Sequence, residues 1–147
     1  MTNIRDRIVA EARSWIGTPY HHHGTVKGAG VDCAMLPQAV YTALGLMAPA
    51  DFGEYPTQWH LHHDEERYLA IVTRYAAEIA EDAALPGDFV LFRVGRTFAH
   101  GGVVVDPARR TMIHASMEAR AVILERWDAG RLARSPRRFF VLNGVSP

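Results

Sequence analysis

Apolar residues recur at Ile4, Ile8, Val9, Ala12, Trp15 and Ile16, the spacing of one helix face, and Gly17 with Pro19 closes the pattern. Residues 17–31 hold four glycines and one proline and predict an irregular loop. A second helix is predicted from Cys33 to Leu44, with Ala34, Leu36, Ala39, Val40 and Leu44 apolar and Gly45 as the stop. Pro37 constrains its beginning. Proline has no N–H, so the carbonyl of Cys33 loses its helical partner and Cys33 must stand at the very start. Residues 46–63, with prolines, Gly53, aromatics and three histidines, predict a long connection. A third helix is expected from Asp64 to Glu81, with Leu69, Val72, Tyr75, Ala76 and Ile79 on one face.

The period then becomes strand-like. Leu85-Pro86-Gly87-Asp88 reads as a turn, Phe89 to Val94 as a strand, and Gly95-Arg96 as a hairpin turn into Thr97 to Val105. Asp106-Pro107 turns again, and Thr111 to Ala115, Ala121 to Trp127 and Arg138 to Leu142 are further strands. Helices first and a mostly antiparallel meander after make an α+β arrangement.

At 147 residues the chain fits one domain able to bury a real core. Sixteen basic and sixteen acidic residues leave no net charge, so nucleic acid or an anionic membrane surface is not indicated as a partner. Arg131, Arg134, Arg137 and Arg138 cluster, and within a balanced total they read as a solvated edge. One cysteine excludes an intramolecular disulfide. Met1 to Trp15 is charged and amphipathic, without a signal-peptide core, and no stretch has the length of a membrane-spanning helix. The expectation is a soluble protein, cytoplasmic when made, with no membrane insertion.

That one cysteine is the chief chemical signal. Cys33 lies in Gly30-Val31-Asp32-Cys33-Ala34-Met35-Leu36, where a turn-prone stretch becomes helical. A thiol attacks a carbonyl as thiolate, and a helix N-terminus, with its unpaired N–H groups, should stabilise that form. A lone cysteine can equally be a small buried hydrophobe, and local pattern does not separate the two. His100, in Phe98-Ala99-His100-Gly101-Gly102, and His114, in Met112-Ile113-His114-Ala115, enter neighbouring predicted strands. Pairing of those strands could bring the imidazoles together, one orienting the other as in a catalytic triad. Either histidine alone is more easily a hydrogen-bonded core residue; both with Cys33 favour a cysteine-enzyme site.

Ala10 to Tyr20, Gly30 to Cys33, Leu85 to Phe92, Ala99-His100-Gly101-Gly102-Val103 and Ile113-His114-Ala115 together closely resemble the NlpC-type cell-wall peptidases. The resemblance spans nearly the whole chain and implies a single papain-like cysteine peptidase domain over residues 1–147. In that fold N-terminal helices, with the nucleophile at a helix N-terminus, pack on a mostly antiparallel sheet. The loop before Cys33 and the segment Tyr55-Pro56-Thr57-Gln58-Trp59-His60 look most like the branch found in phage tails and gene transfer agents. By position the resemblance makes Cys33 the nucleophile, His100 the general base and later acid, and His114 the residue orienting His100. It makes Tyr20 an oxyanion-side hydroxyl and Asp32 a structural acid. It implies peptidoglycan stem peptides as substrate, cut between D-glutamate, through its γ-carboxyl, and a diamino acid. Phage tail-tip proteins are the implied partners. Ala34-Met35 departs from the Ser-Gly that many members carry after the cysteine, which bears on substrate choice.

His21-His22-His23 and the group His60, His62 and His63 invite a zinc reading. Consecutive residues rarely point to one centre and the spacing matches no metal motif, so neither metal nor cofactor is expected. His21, His22 and His23 are instead expected to line the cleft and contact a substrate carboxylate. Two other readings stand beside the peptidase: an acyltransferase or amidase on another acyl substrate, and a structural tail module whose catalysis is dispensable.

Overall fold

Asn3 opens the first helix, α1 (Ile4–Arg13), by accepting a hydrogen bond from the N–H of Asp6 at 2.9 Å. The computed structural model describes residues 3–50 and 67–146. α1 buries Ile8 and Ala12, and Trp15, just past its end, packs into the same core. Arg5 ties the helix to the turn before the sheet, donating to the Pro86 carbonyl at 2.9 Å and to the Asp88 carboxylate at 2.8 Å.

The loop expected over 17–31 contains two short antiparallel strands, β1 (Thr25–Val26) and β2 (Gly30–Val31). Its glycines explain why the pairing is possible. A Cβ on Gly24 would lie 2.6 Å from the backbone of Gly30, and one on Gly30 would lie 2.6 Å from the Cβ of His21. The second helix, α2, runs Met35–Ala43, two residues later than Cys33, and buries Met35, Leu36, Pro37, Val40 and Tyr41. Pro37 falls in its first turn, where its missing N–H has no intrahelical partner to lose.

The third helix differs from expectation. Its described part, α3, covers Arg67–Tyr75, and the chain then passes directly into strand β3 (Ala76–Ile79) and a 3₁₀ turn, Glu81–Ala83. The backbone of 76–79 pairs with β8 (Arg137–Leu142), Ala76 opposite Leu142 and Ile79 opposite Phe139, and so closes an edge that a longer helix would leave open. The expected strands are present: β4 (Phe89–Val94), β5 (Thr97–Asp106), β6 (Thr111–Ser116) and β7 (Ala121–Arg126). The six-stranded sheet has the order β3-β8-β4-β5-β6-β7, each pair antiparallel.

One sheet face, with Phe89, Leu91, Val103, Ile113 and Phe140, packs with Ile8, Trp15, Leu36 and Val40 from the helical side. The other face carries a smaller cluster around Phe92, Met112, Trp127 and Phe139. Among the described residues no helix is long and apolar enough to cross a membrane.

Candidate active site

The segment before Cys33 is stitched into the structure from both sides. Gly17 donates to the Val122 carbonyl at 3.0 Å, Tyr20 to that of Arg120 at 2.9 Å, and Val31 to that of Pro19 at 3.0 Å. Residues 17–20 thus lie between β7 and β2 and bring Tyr20 to the thiol. The Tyr20 hydroxyl donates to the Cys33 Sγ at 3.7 Å, and the sulfur lies 3.7 Å from the Ala99 carbonyl beside His100. Burial, then the charge Cys33 would carry once ionised, the hydrogen bond to Cys33 and the Asp32 carboxylate, push Tyr20 well above the ordinary tyrosine range, so its hydroxyl keeps its proton.

Asp32, 1% exposed, shares the start of this helix with the sulfur. Its Oδ1 accepts from the N–H groups of Ala34 at 3.1 Å and Met35 at 2.9 Å, and Oδ2 from that of His23 at 2.8 Å. The expected stabilisation of the thiolate by backbone N–H groups at the helix start is present but outweighed. Loss of water around the sulfur, then the Asp32 carboxylate, pushes the thiol up to about 12, against the opposing pull of the Tyr20 hydroxyl and nearby backbone N–H groups. In this resting geometry Cys33 is a thiol.

The two histidines do meet. The Nε2 of His100 and the Nδ1 of His114 are 2.7 Å apart, with the rings nearly perpendicular at 85°. His114 continues outward, its Nε2 lying 2.8 Å from Oε2 of Glu125. The register explains this line. Ile123 opposes His114 across β6 and β7, so Glu125, two residues on, shares its face at a diagonal within reach of a long side chain. Gly102 on β5 lies against β6, where a Cβ on it would come 3.0 Å from the Met112 sulfur. Burial lowers the pKa of His114, and the hydrogen bond and charge of Glu125 offset this only in part, so its imidazole is neutral at pH 7.

Tyr20, Cys33, His100, His114, Glu125 and Arg131 line one open cleft of about 700 Å³. Of these, Glu125 was not singled out from sequence, where it reads as a polar position of an edge strand; its offset from His114 across paired strands was the available signal. Arg131 belongs to the basic group read as a solvated edge, and the structure divides that group. Arg137 and Arg138 pair with Glu81 and Glu78, whereas Arg131 sits on a 3₁₀ turn, Gly130–Leu132, at the cleft.

His21, His22 and His23 do not line this cleft. The Nδ1 of His21 is 3.0 Å from the His22 carbonyl, the His22 and His23 ring centroids are 4.1 Å apart with the planes tilted by 32°, and His22 Nδ1 is 4.0 Å from the Asp32 carboxylate. They pack on the loop that holds Asp32. His60, His62, His63 and the segment from Tyr55 to His60 lie outside the described residues. Among the described residues no group of three or more His, Cys, Asp or Glu side chains is arranged to hold a metal ion.

Residues 17–134 match the model of the NlpC/P60 family. Among solved structures, NlpC1 from Trichomonas vaginalis is similar at a TM-score of 0.71 and 18% identity, over 95% of this chain and 44% of that one. The NlpC/p60 domain of the peptidoglycan hydrolase SagA gives 0.63 at 21% identity, over 93% of this chain and 97% of that one. RipD from Mycobacterium tuberculosis, described as a non-catalytic NlpC/p60 domain protein adapted to peptidoglycan binding, gives 0.62 at 16% identity, over 96% and 98%. The chain therefore spans less than half of the Trichomonas protein and nearly all of the other two. No sequence among the curated proteins matches it.

Proposed function

The chain belongs to the NlpC/P60 family, and from that premise we propose that it is a cysteine peptidase acting on peptidoglycan stem peptides. The observation that carries this reading is the hydrogen-bonded pair His100–His114, 2.7 Å apart, in the cleft that also holds the chain's one thiol. The family's fold alone does not decide it, because RipD shares the fold and is described as non-catalytic.

In the proposed reaction the Cys33 Sγ attacks the scissile carbonyl carbon while its proton passes to His100. The Nε2 of His100 faces His114, so Nδ1 takes that proton. The carbonyl oxygen becomes an oxyanion, and the Tyr20 hydroxyl and the Cys33 backbone N–H are the donors that stabilise it. Collapse breaks the C–N bond, the amine leaves with the proton from His100, and a thioester remains. Water, deprotonated by His100, releases the acid, and the sulfur recovers its proton. Because the resting sulfur is a thiol, proton transfer belongs to the attack step rather than preceding it.

The bond proposed is that between the γ-carboxyl of D-glutamate and a diamino acid, and its support is the sequence resemblance. A stem peptide also carries free carboxylates. Among the described residues lining the cleft Arg131 is the guanidinium available to receive one. Association with a phage-type tail particle, which would bring the enzyme to the envelope from a cytoplasm where it is made, rests on the sequence resemblance of the loop before Cys33 and of the segment Tyr55 to His60.

Mass spectrometry of defined muropeptides incubated with wild type and with Cys33→Ala tests the reading. A new D-glutamyl-ended product is expected with wild type, and a loss of roughly 10⁴-fold or more with the variant. Muropeptide binding without cleavage by wild type would move the protein to the binding class that RipD represents.

A further inference from the structure

We propose that Glu125 is a positioning residue of this site, acting through His114 to fix which nitrogen of His100 carries the proton. This rests on the peptidase reading for its consequence and on hydrogen-bond geometry for its substance. A carboxylate only accepts, so at 2.8 Å from Glu125 Oε2 the Nε2 of His114 must carry the proton and donate. A neutral imidazole has one N–H, which leaves the Nδ1 of His114 as an acceptor. Across 2.7 Å, the Nε2 of His100 is then the donor. A neutral His100 protonated at Nε2 has its lone pair on Nδ1, and that lone pair is the base the thiol requires.

Reversal of the line shows what Glu125 contributes. A His114 holding its proton on Nδ1 would donate to His100 Nε2 and force the His100 proton onto Nδ1. Such a His100 would present an N–H to the thiol and could not accept its proton. Both arrangements satisfy the imidazole pair equally, and the carboxylate breaks the tie.

The backbone makes room for that carboxylate. Gly130, at φ +64°, turns the chain after β7, and a Cβ there would lie 2.9 Å from Glu125 Oε1. Glu125 is 32% exposed while His114 is 3% exposed, so the carboxylate spans the distance between a buried imidazole and the mouth of the cleft. The titratable and charged groups lining the cleft with it are His114 on β6, Glu118 in the β6–β7 turn, Arg131 on the following 3₁₀ turn, and Tyr20, Cys33 and His100. Of these, His114 is the one hydrogen-bonded to it.

Long-range ¹H–¹⁵N correlation spectra of histidine-labelled protein read the tautomers directly and without substrate. Wild type is expected to show both His100 and His114 protonated at Nε2. In Glu125→Ala and Glu125→Gln, His114 is expected to become a mixture of tautomers, with kcat on muropeptides reduced about tenfold to a hundredfold and KM little changed. Glu125 is part-exposed on an edge strand, so both variants should fold. A wild-type His114 protonated at Nδ1, or tautomers unchanged in both variants, overturns the assignment. A wild type that cleaves no muropeptide but shows the expected tautomers, lost in the variants, leaves the assignment standing and removes the peptidase reading instead.

Discussion

The carboxylate of Asp32 takes up the N–H groups of Ala34 and Met35 at the head of α2 and sets a negative charge beside Cys33. One residue therefore orders the nucleophile's backbone and opposes its ionisation. Asp32→Asn should separate these effects. The amide oxygen can still accept from Ala34 and Met35, but its NH₂ would then face the N–H of His23, leaving a buried donor unmatched at a cost of about 1–3 kcal/mol. With the charge gone, the thiol should fall from about 12. Each pKa unit recovered gives about tenfold more thiolate at pH 8, partly offset by lower nucleophilicity, so alkylation should run several-fold faster. Urea denaturation and iodoacetamide kinetics on the two proteins measure both; an unchanged alkylation rate would mean that Asp32 does not restrain the thiol. Sequence pattern placed Cys33 ahead of a helix and paired its two histidines. It could not show that burial and Asp32 would outweigh the helix donors, because that depends on how the sulfur is covered and where a neighbouring carboxylate points.

At the scale of elements, strand β5 delivers His100 while Gly101 beside it accepts two aromatic side chains. A Cβ at Gly101 would lie 2.7 Å from both the Phe89 Cζ and the Tyr68 hydroxyl, at the junction of β4, β5 and α3. Gly101→Ala should therefore overpack this layer by about 1–3 kcal/mol and lower Tm by several degrees. Because the strained residue adjoins His100, kcat should fall as well. Calorimetry that finds Tm unchanged would show that Phe89 and Tyr68 yield freely. The strands were legible because short apolar runs rich in β-branched and aromatic residues, such as Phe89 to Phe92 and Val103 to Val105, are punctuated by turns. The stretch Tyr75 to Ile79 was not. Ala76 and Ile79 fit a helical face, and the deciding influence is the open edge of β8, sixty residues further along, which captures the backbone of 76–79. Glu125 escaped for a related reason, since its partner His114 is found only once the register of β6 and β7 is known.

Over the whole molecule, the site joins Tyr20 and Cys33 from the helical half to His100, His114 and Glu125 from three consecutive strands, so its geometry persists only while the two halves stay packed. The chemistry of that packing sets an alkaline limit. Burial is the largest cause raising the pKa of Cys33, Tyr20, Tyr41 and Tyr68. In the unfolded chain these acids release protons near their ordinary values, while the folded chain holds them. The unfolded state therefore binds fewer protons above pH 9, and stability must fall as pH rises, by about 1.4 kcal/mol per pH unit for each group past its unfolded pKa. The steep region begins near pH 9 for Cys33 and near pH 10 for the tyrosines, whose ordinary values are 9.0 and 10.0. Tyr41→Phe removes one of these groups, and with it the bond its hydroxyl donates to the Gly87 carbonyl at 2.9 Å. That variant should be less stable than wild type at pH 7 by about 1 kcal/mol and lose less on going to pH 11. Denaturant midpoints measured from pH 7 to 11 would show the two curves converging. Parallel curves would mean that Tyr41 ionises in the folded protein as readily as in the unfolded chain, and that the core beneath α2 admits water.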